Sequence, residues 1–403
     1  MVITGSWQGR PITISVKRNC LTVSIDDPSR ADVLSYDLAG RLWTAFLDGI
    51  AYRRGLDGRM LARWRDPGQE RSRVWLTPDE ALNIESRAYH NIETLYQAVQ
   101  SGDANLNLAL PDEGHIAFQR VIAFDEKRSL ADAQRYYEIY QPIGILPPDQ
   151  YMAVVLQATE GCSFNTCTFC SFYKNRPFRI KPPGEFRQHA QAVKDFLGEG
   201  LSLRRTIFLG DANALVVPMP RLLPLIETVH EIYDVESLGG VYAFLDGFSG
   251  EKKSAQDYAE LNKRGLKRIY IGLESGSMEL LRFLKKPGMP DDAVQAVNAM
   301  KAGGVAVGVI VLLGVGGHQF AEEHIQETIR VLNAMHLDDD DILYFSNLIV
   351  SEDMPYARDA MQAGLKSLTQ EECAAQGEAI EQALLLEYGI PKISRYDIRE
   401  FVY

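Results

Sequence analysis

The chain has 403 residues, of which 46% are hydrophobic and 24% charged, and its formal net charge is −12. This length predicts about two domains, and the composition is that of a globular protein with ample core. The acidic balance argues against a general nucleic-acid binder, because no basic surplus exists to neutralise phosphates. No apolar run reaches the roughly 18 residues of a membrane span, and the N-terminus lacks a signal-peptide core. We therefore expect a cytoplasmic protein with no membrane partner.

Residues 1–150 are predicted to form an N-terminal α+β accessory domain. The alternating runs ITISV and LTVSI predict strands. Two longer segments, 37–56 and 77–102, are predicted helices, and the second opens with a capping signal at Thr77 and Glu80. Neither segment carries an evident catalytic pattern.

From residue 151 the pattern changes to short, continuous apolar runs separated by helical segments. Such runs are typical of strands that are covered on both faces of a parallel sheet. After the first run, successive runs begin 28 to 37 residues apart, which is the length of a βα unit. The six predicted strands are 152–157, 206–210, 240–245, 268–273, 305–314 and 342–350. This rhythm predicts an α/β domain over 151–350, as an open sheet or a partial barrel, and residues 351–403 are predicted to form a helical C-terminal extension.

Three of the five cysteines lie in GCSFNTCTFCSFY (161–173), directly after the first predicted strand. Their clustering among small polar residues argues against simple core packing, although buried cysteines are common. A structural zinc site requires four ligands, and the other candidates are remote in sequence: Cys20, Cys373 and His189. An iron–sulfur cluster held by three thiolates instead leaves one iron open to bind a chelating molecule.

This loop resembles the cluster-binding loop of the radical S-adenosylmethionine (radical SAM) superfamily, in which three cysteines follow the first strand of a partial (β/α)6 barrel. The resemblance covers residues 152–350 and implies that Cys162, Cys167 and Cys170 hold a [4Fe–4S] cluster, with SAM as the second cofactor. It includes Phe169, at a position that carries an aromatic residue near the adenine in the family. The commonest family spacing is C-x3-C-x2-C, whereas this chain has C-x4-C-x2-C.

Three later strand ends extend the resemblance. Gly210 and Asp211 occupy the place of a family loop that contacts the amino group of SAM, although Gly-Asp-Ala-Asn is also ordinary turn chemistry. Glu274 and Ser275 match a strand end whose side chains bind the ribose or carboxylate of SAM. Ile310 matches the strand that contacts the adenine.

The resemblance implies an enzyme that reductively cleaves SAM to a 5′-deoxyadenosyl radical, which abstracts hydrogen from an unidentified small-molecule substrate. It also implies an external one-electron donor such as flavodoxin or ferredoxin. Substrate contacts are expected from Tyr173, His318 and Asn347, and no catalytic side chain is assigned. A SAM-binding iron–sulfur sensor or electron carrier, an aminocarboxypropyl-radical variant and a structural zinc protein remain as alternatives.

Overall fold

The structure is a computed structural model that describes residues 1–27, 30–65, 68, 71–248 and 252–403. The chain divides into two compact units. The first comprises Met1–Pro142, Gln191–Arg205 and Val402–Tyr403, and the second comprises Ile143–Ala190 and Thr206–Phe401. Within the described ranges, no helix combines the length and the hydropathy that crossing a bilayer requires.

The first unit is built on a nine-stranded antiparallel sheet in the order β8-β7-β6-β5-β4-β3-β2-β1-β9. One face of this sheet packs against the helices α1 and α2 to form a continuous apolar core. The strands are β1 (Val2–Trp7), β2 (Arg10–Val16), β3 (Cys20–Asp27), β4 (Arg30–Asp37), β5 (Leu42–Leu47), β6 (Ile50–Arg54), β7 (Met60–Arg65), β8 (Arg71–Trp75) and β9 (Asn105–Leu106). The helices are α1 (Pro78–Ser101), α2 (Asp112–Ile122) and α3 (Glu126–Ile139).

The helix predicted over residues 37–56 is wrong, because this segment forms β5 and β6. Asp48 and Gly49 have φ values of +55° and +80°, and they join Leu47 directly to its register partner Ile50. An Asp-Gly pair in this conformation is a favoured two-residue hairpin turn. By contrast, the capping box at Thr77 is confirmed: the Thr77 amide donates to Glu80 Oε2 at 2.8 Å.

Arg54 and Glu85 form a buried ion pair in the core of the first unit, and their hydrogen bonds form a closed ring with a third side chain. Arg54 Nε donates to Glu85 Oε1 at 2.7 Å, and the two side chains are 1% and 5% exposed. Ser129 completes the ring, because its Oγ accepts from Arg54 Nη2 at 2.8 Å and donates to Glu85 Oε2 at 2.6 Å. Each charged group therefore has close hydrogen-bonded partners, as a buried ion pair requires.

The second unit is built on a seven-stranded parallel sheet in the order β10-β13-β14-β15-β16-β17-β18. The six predicted strands and the α/β fold with a partial barrel are confirmed. The parallel strands are β10 (Ala153–Gln157), β13 (Thr206–Gly210), β14 (Val241–Phe244), β15 (Leu266–Glu274), β16 (Ala306–Leu313), β17 (Ile342–Asn347) and β18 (Lys392–Tyr396). A separate two-stranded sheet consists of β11 (Thr159–Glu160) and β12 (Arg179–Ile180).

Helices connect these strands, as a parallel sheet requires. They are α4 (Pro183–Leu197), α5 (Met219–Ile232), α6 (Ala255–Lys263), α7 (Met278–Phe283), α8 (Pro290–Ala302), α9 (Gly317–Asn333), α10 (Pro355–Gln362) and α11 (Gln370–Gln382).

The C-terminal extension, predicted to be helical, also contains a strand. In addition to α10 and α11, it supplies β18, which pairs in parallel with β17 so that Tyr396 is the register partner of Ser346. The segment KISRY has no continuous apolar run and none of its residues is fully buried, as expected of an edge strand. Its weak pattern explains why the sequence did not predict a seventh strand.

Candidate active site

A cavity of about 400 Å³ opens at the carboxyl ends of the parallel strands in the second unit. Apolar and aromatic side chains form the larger part of its wall. Each parallel strand contributes at or just after its end, through Cys162, Asn213, Asp246, Glu274, Leu312, Asn347 and Tyr396. This is the end at which parallel α/β folds place their ligands.

The cysteine loop after β10 is held in place by contacts of its intervening residues. Asn165 has φ of +51°, a left-handed conformation that asparagine tolerates, and its Nδ2 donates to the carbonyl of Tyr173 at 2.7 Å. The Thr168 amide donates to Leu284 O at 3.0 Å, and Thr166 Oγ1 donates to Lys285 O at 3.0 Å. Asn165 lies between the first two cysteines, so the longer C-x4-C spacing accommodates a left-handed residue that closes the loop.

Cys162, Cys167 and Cys170 all line the cavity, and none of them forms a disulfide. Burial raises the pKa of Cys170 to about 11 and also raises that of Cys167. Because a metal binds the thiolate form, metal binding would release protons from these thiols. In the described part of the chain, no three His, Cys, Asp or Glu side chains form a ready-made metal site. The donor chemistry fits an iron–sulfur cluster, because thiolates are its usual ligands.

Glu274 lies at the end of β15 in an unusual backbone conformation. Its φ is +62°, and the pairing of β15 with β16 shifts register between Gly272 and Glu274. The carboxylate folds back over Gly272, where a Cβ would collide with Glu274 Oε1. A non-glycine residue at positive φ is costly and is concentrated at functional sites, and Glu274 does line the cavity.

Lys286 is the cationic partner of Glu274. Its Nζ lies 3.5 Å from Glu274 Oε1, and the two side chains are 12% and 13% exposed. Burial alone lowers the pKa of Lys286, but Glu274, Cys167 and Asp246 raise it overall. Sequence reasoning missed Lys286 because it follows a helix, in Lys-Lys-Pro-Gly, and not a strand.

Asp246 is a second acidic residue of the cavity that sequence reasoning missed. It accepts hydrogen bonds from Asn213 Nδ2 and, at 3.4 Å, from Ser163 Oγ in the cysteine loop. It is the second residue beyond β14, and the strand-end rule applied to GVYAFLDG was sufficient to find it.

Residues 156–332 match the family model of the Radical SAM superfamily. The chain carries a radical SAM domain. The matched segment includes the three cysteines of the loop, Glu274 and Lys286, whereas Asn347 and Tyr396 lie beyond it. None of the curated proteins compared with the chain matches it.

Several solved structures are similar to the chain at low sequence identity. The cobalamin-dependent S-adenosylmethionine radical enzyme OxsB is 14% identical, with 55% of this chain and 30% of that chain covered and a TM-score of 0.37. Methylornithine synthase (PylB) is 17% identical over 60% of this chain and 70% of that chain, with a TM-score of 0.39. SuiB from Streptococcus suis, bound to S-adenosylmethionine, is 14% identical over 87% of this chain and 72% of that chain, with a TM-score of 0.41. The matched part of the chain thus corresponds to about a third of the length of OxsB.

Gly210 and Asp211, which are expected to contact SAM, are not among the residues that line the cavity. The Asp211 carboxylate accepts from Gln157 Nε2 at 2.8 Å and from the Gly161 amide and Arg176 Nη1, each at 3.1 Å. Gly161 precedes the first cysteine and Arg176 follows the last. Asp211 therefore ties together the two ends of the cysteine loop, which makes it a positioning residue.

Two more of the expected ligand-binding residues lie outside the cavity lining, Ser275 and His318. Ser275 is fully buried, and its Oγ lies 2.8 Å from His324 Nδ1 on α9. Ser275 directly follows Glu274, the last residue of β15, and its side chain lies against α9 and not in the cavity. His318, in the first turn of α9, lies 3.4 Å from the Glu372 carboxylate of α11.

The remaining expected side chains are gathered around the cavity of the radical SAM domain. Phe169, Ile310, Tyr173 and Asn347 all line it, together with the three cysteines and Glu274. Phe169, Ile310 and Glu274 were expected from the family resemblance, whereas Tyr173 and Asn347 were expected from their positions near strand ends.

Proposed function

We propose that the chain is a radical SAM enzyme that cleaves SAM reductively at a [4Fe–4S] cluster held by Cys162, Cys167 and Cys170. The observation that carries the proposal is that all three thiols line one cavity with Glu274, inside the segment that matches the radical SAM superfamily. When bound, the reduced cluster supplies the electron that converts SAM to methionine and a 5′-deoxyadenosyl radical. An external one-electron carrier of the flavodoxin or ferredoxin class delivers that electron.

The chain's own residues bind and orient SAM. Glu274 accepts from the ribose hydroxyls, as acidic side chains do at other strand-end nucleotide sites. Burial raises the pKa of Glu274 above its ordinary value, and the Lys286 ammonium offsets part of that rise. Phe169 and Ile310, on the cavity wall, contact the adenine. Asp211 fixes the ends of the loop that carries the ligating thiols.

The apolar wall excludes water from the place where a radical would form. Side chains such as Phe164, Phe248 and Leu348 line the cavity, and removal of water suppresses side reactions of reactive intermediates. The substrate is a small molecule that enters this space beside SAM.

Anaerobic reconstitution with iron and sulfide, followed by dithionite and SAM, tests the proposal. We expect a brown cluster and release of 5′-deoxyadenosine from the wild type and from Cys373→Ala, and neither from Cys167→Ala. Cys373 is a matched control, because it is buried in the second unit but does not line the cavity.

Other outcomes would overturn the proposal in identifiable ways. A cluster without SAM cleavage would show a sensor or electron carrier, and methylthioadenosine as the product would show an aminocarboxypropyl-radical variant. Tightly bound zinc without a cluster would show a zinc protein.

A further inference from the structure

The cysteine loop reaches the outer surface of the second unit between two helices. The Thr168 amide donates to Leu284 O, just beyond α7, and the Tyr356 amide of α10 donates to Thr168 O, each at 3.0 Å. Thr166 is exposed and does not line the cavity. A partner therefore has access to the loop beside Cys167 without entering the cavity.

Four cationic side chains surround this exposed part of the loop. Lys285, whose carbonyl accepts a hydrogen bond from the loop, and Arg358 of α10 are 57% and 65% exposed. Arg282 is exposed on the last turn of α7, within one helical turn of Lys285. Lys174 Nζ donates to Asn165 O at 2.6 Å. We call Lys174, Arg282, Lys285 and Arg358 together the cationic face.

Few acids lie beside the cationic face. The cysteine loop and the segment 280–290 around the end of α7 hold no Asp or Glu. Asp359 pairs with Lys285 Nζ at 2.9 Å, while Glu279 lies in the first turn of α7 and Asp353 precedes α10. Positive charge is thus concentrated beside the loop in a chain whose net charge is −12.

Met361 supplies an apolar contact next to the cationic face. It is exposed and follows Arg358 by three residues on α10, so the two side chains are neighbours on the helix surface. Its flexible thioether side chain adapts to different partner surfaces. Protein interfaces combine such apolar contacts with a polar rim.

Lys285 occupies a backbone position that usually holds glycine. The Lys286 amide donates to Leu281 O at 3.0 Å, which closes the end of α7, and Lys285 has φ of +53°. Helices that end in this way usually have glycine at the left-handed position, because glycine has no Cβ. A lysine there costs conformational energy and retains a cation beside the loop, and such conformations are concentrated at functional sites.

We propose that the cationic face docks a small acidic protein that carries one electron to the cluster. This inference rests on the proposed function, in which SAM and the substrate fill the cavity, so a protein donor has access to the cysteine loop only from outside. One electron leaves the reduced flavin or iron–sulfur centre of the carrier and enters the oxidised cluster, and no bond forms or breaks between the two proteins. Electron-transfer complexes bury little surface, and complementary charges raise their rate of association, so a small charged face is sufficient.

Stopped-flow reduction of the reconstituted full chain by flavodoxin hydroquinone tests the proposal. Arg282→Glu and Arg358→Glu are each expected to lower the second-order rate constant roughly fivefold at low salt, and to weaken flavodoxin binding in calorimetry to a similar degree. Arg282→Lys and Arg358→Lys, which keep the charge, should retain wild-type values. Added salt should lower the wild-type rate constant, and a rate constant independent of salt would overturn the proposal.

Two controls separate docking from other effects of these substitutions. Lys267→Glu makes the same change of charge sign at an exposed position at the start of β15, the end of that strand opposite the cavity. Photoreduced 5-deazariboflavin, an uncharged small reductant, should reduce the cluster equally in every variant. Unchanged flavodoxin kinetics in both arginine variants, or an equal loss in Lys267→Glu, would overturn the proposal. So would an oligonucleotide that binds more tightly than flavodoxin and is released by the same two substitutions, because the face would then belong to a nucleic acid.

Lys285→Gly tests the backbone argument. It should raise the urea midpoint of unfolding, because glycine suits the left-handed position, and it should lower the rate constant for flavodoxin. A lower midpoint with an unchanged rate constant would show that Lys285 is structural and would overturn its role in docking.

The docking proposal and the proposed function fail in distinguishable ways. If the wild type forms no cluster, or if reduction by 5-deazariboflavin in the presence of SAM releases no 5′-deoxyadenosine, the proposed function fails. If that release occurs but flavodoxin neither binds nor reduces the cluster, the docking proposal alone fails.

Discussion

Two buried pairs of carboxylate and cation, one in each unit, have opposite designs. Arg54 and Glu85 approach to 2.7 Å and share Ser129, so that their hydrogen bonds form a closed ring in a core. Glu274 and Lys286 lie 3.5 Å apart beside a cavity, with a strained backbone at Glu274. The first pair has its partners within the protein, whereas the second has hydrogen-bonding capacity left for a ligand. Burial of a charge is therefore a weaker guide to function than the completeness of its hydrogen bonds.

The largest effect on stability is expected from breaking the closed ring. Arg54→Met leaves Glu85 as an unpaired buried carboxylate, which should lower the free energy of unfolding by about 3–5 kcal/mol. Urea denaturation measures this change. Arg87→Met is the control, because its pair with Asp48 is 45% and 39% exposed and should contribute less than about 1 kcal/mol. An equal loss of unfolding free energy in both variants would show that the buried ring stabilises the protein no more than an exposed ion pair.

Glu274→Gln should have a large effect on SAM binding and a small effect on the free energy of unfolding. We expect SAM affinity to fall about a hundredfold because charge-assisted hydrogen bonds to the ribose are lost. The free energy of unfolding should fall by only about 1 kcal/mol, because Lys286 lines the cavity, where water can solvate the ammonium group that loses its partner. Calorimetric titration with SAM and urea denaturation give the two numbers. A loss of stability as large as that of Arg54→Met, with normal SAM binding, would show that this pair is structural as well.

The pH dependence of stability tests a third buried polar group, His324, which contacts Ser275. Burial lowers the pKa of His324 to about 4, below the value of about 6.5 in an unfolded chain. The unfolded state therefore binds the proton more readily, so the stability present above pH 6.5 is lost as the pH falls towards 4. The loss at pH 5 should be about 2 kcal/mol.

His324→Gln should remove this part of the pH dependence, as measured by denaturation at several pH values. His230→Gln, at an exposed position, should leave the dependence unchanged. An identical pH profile in wild type and His324→Gln would contradict the assignment.

The smallest effect is expected from Ser129→Ala. This substitution removes one member of the hydrogen-bonded ring and leaves the Arg54–Glu85 contact intact. The free energy of unfolding should therefore fall by about 1–2 kcal/mol. A change near zero in urea denaturation would indicate that water replaces the hydroxyl.

Sequence predicted those parts of the molecule whose physical signal is local. Six strands were predicted from continuous apolar runs. The loop at Cys162–Cys170 was predicted from three clustered cysteines that follow the first of these strands. The strand β18 was not predicted, because its segment has few apolar residues. The β5–β6 hairpin was predicted as a helix, because the apolar spacing was read as helical and the Asp48-Gly49 pair was not recognised as a turn. The directions of Asp211 and Ser275 depend on long-range contacts with Gly161 and His324, which no local pattern encodes.

The seventh strand has a consequence for folding during synthesis. Tyr396 meets Ser346 only after β18 has been made, some way beyond the six strands that precede it. Until then β17 is an open edge, and unpaired strand edges are prone to pair with other chains. Closing it requires a contact of long sequence separation, which is slow to form. During synthesis, the cysteine loop and its partners Leu284 and Lys285 are therefore present before the β18 side of the cavity has been made.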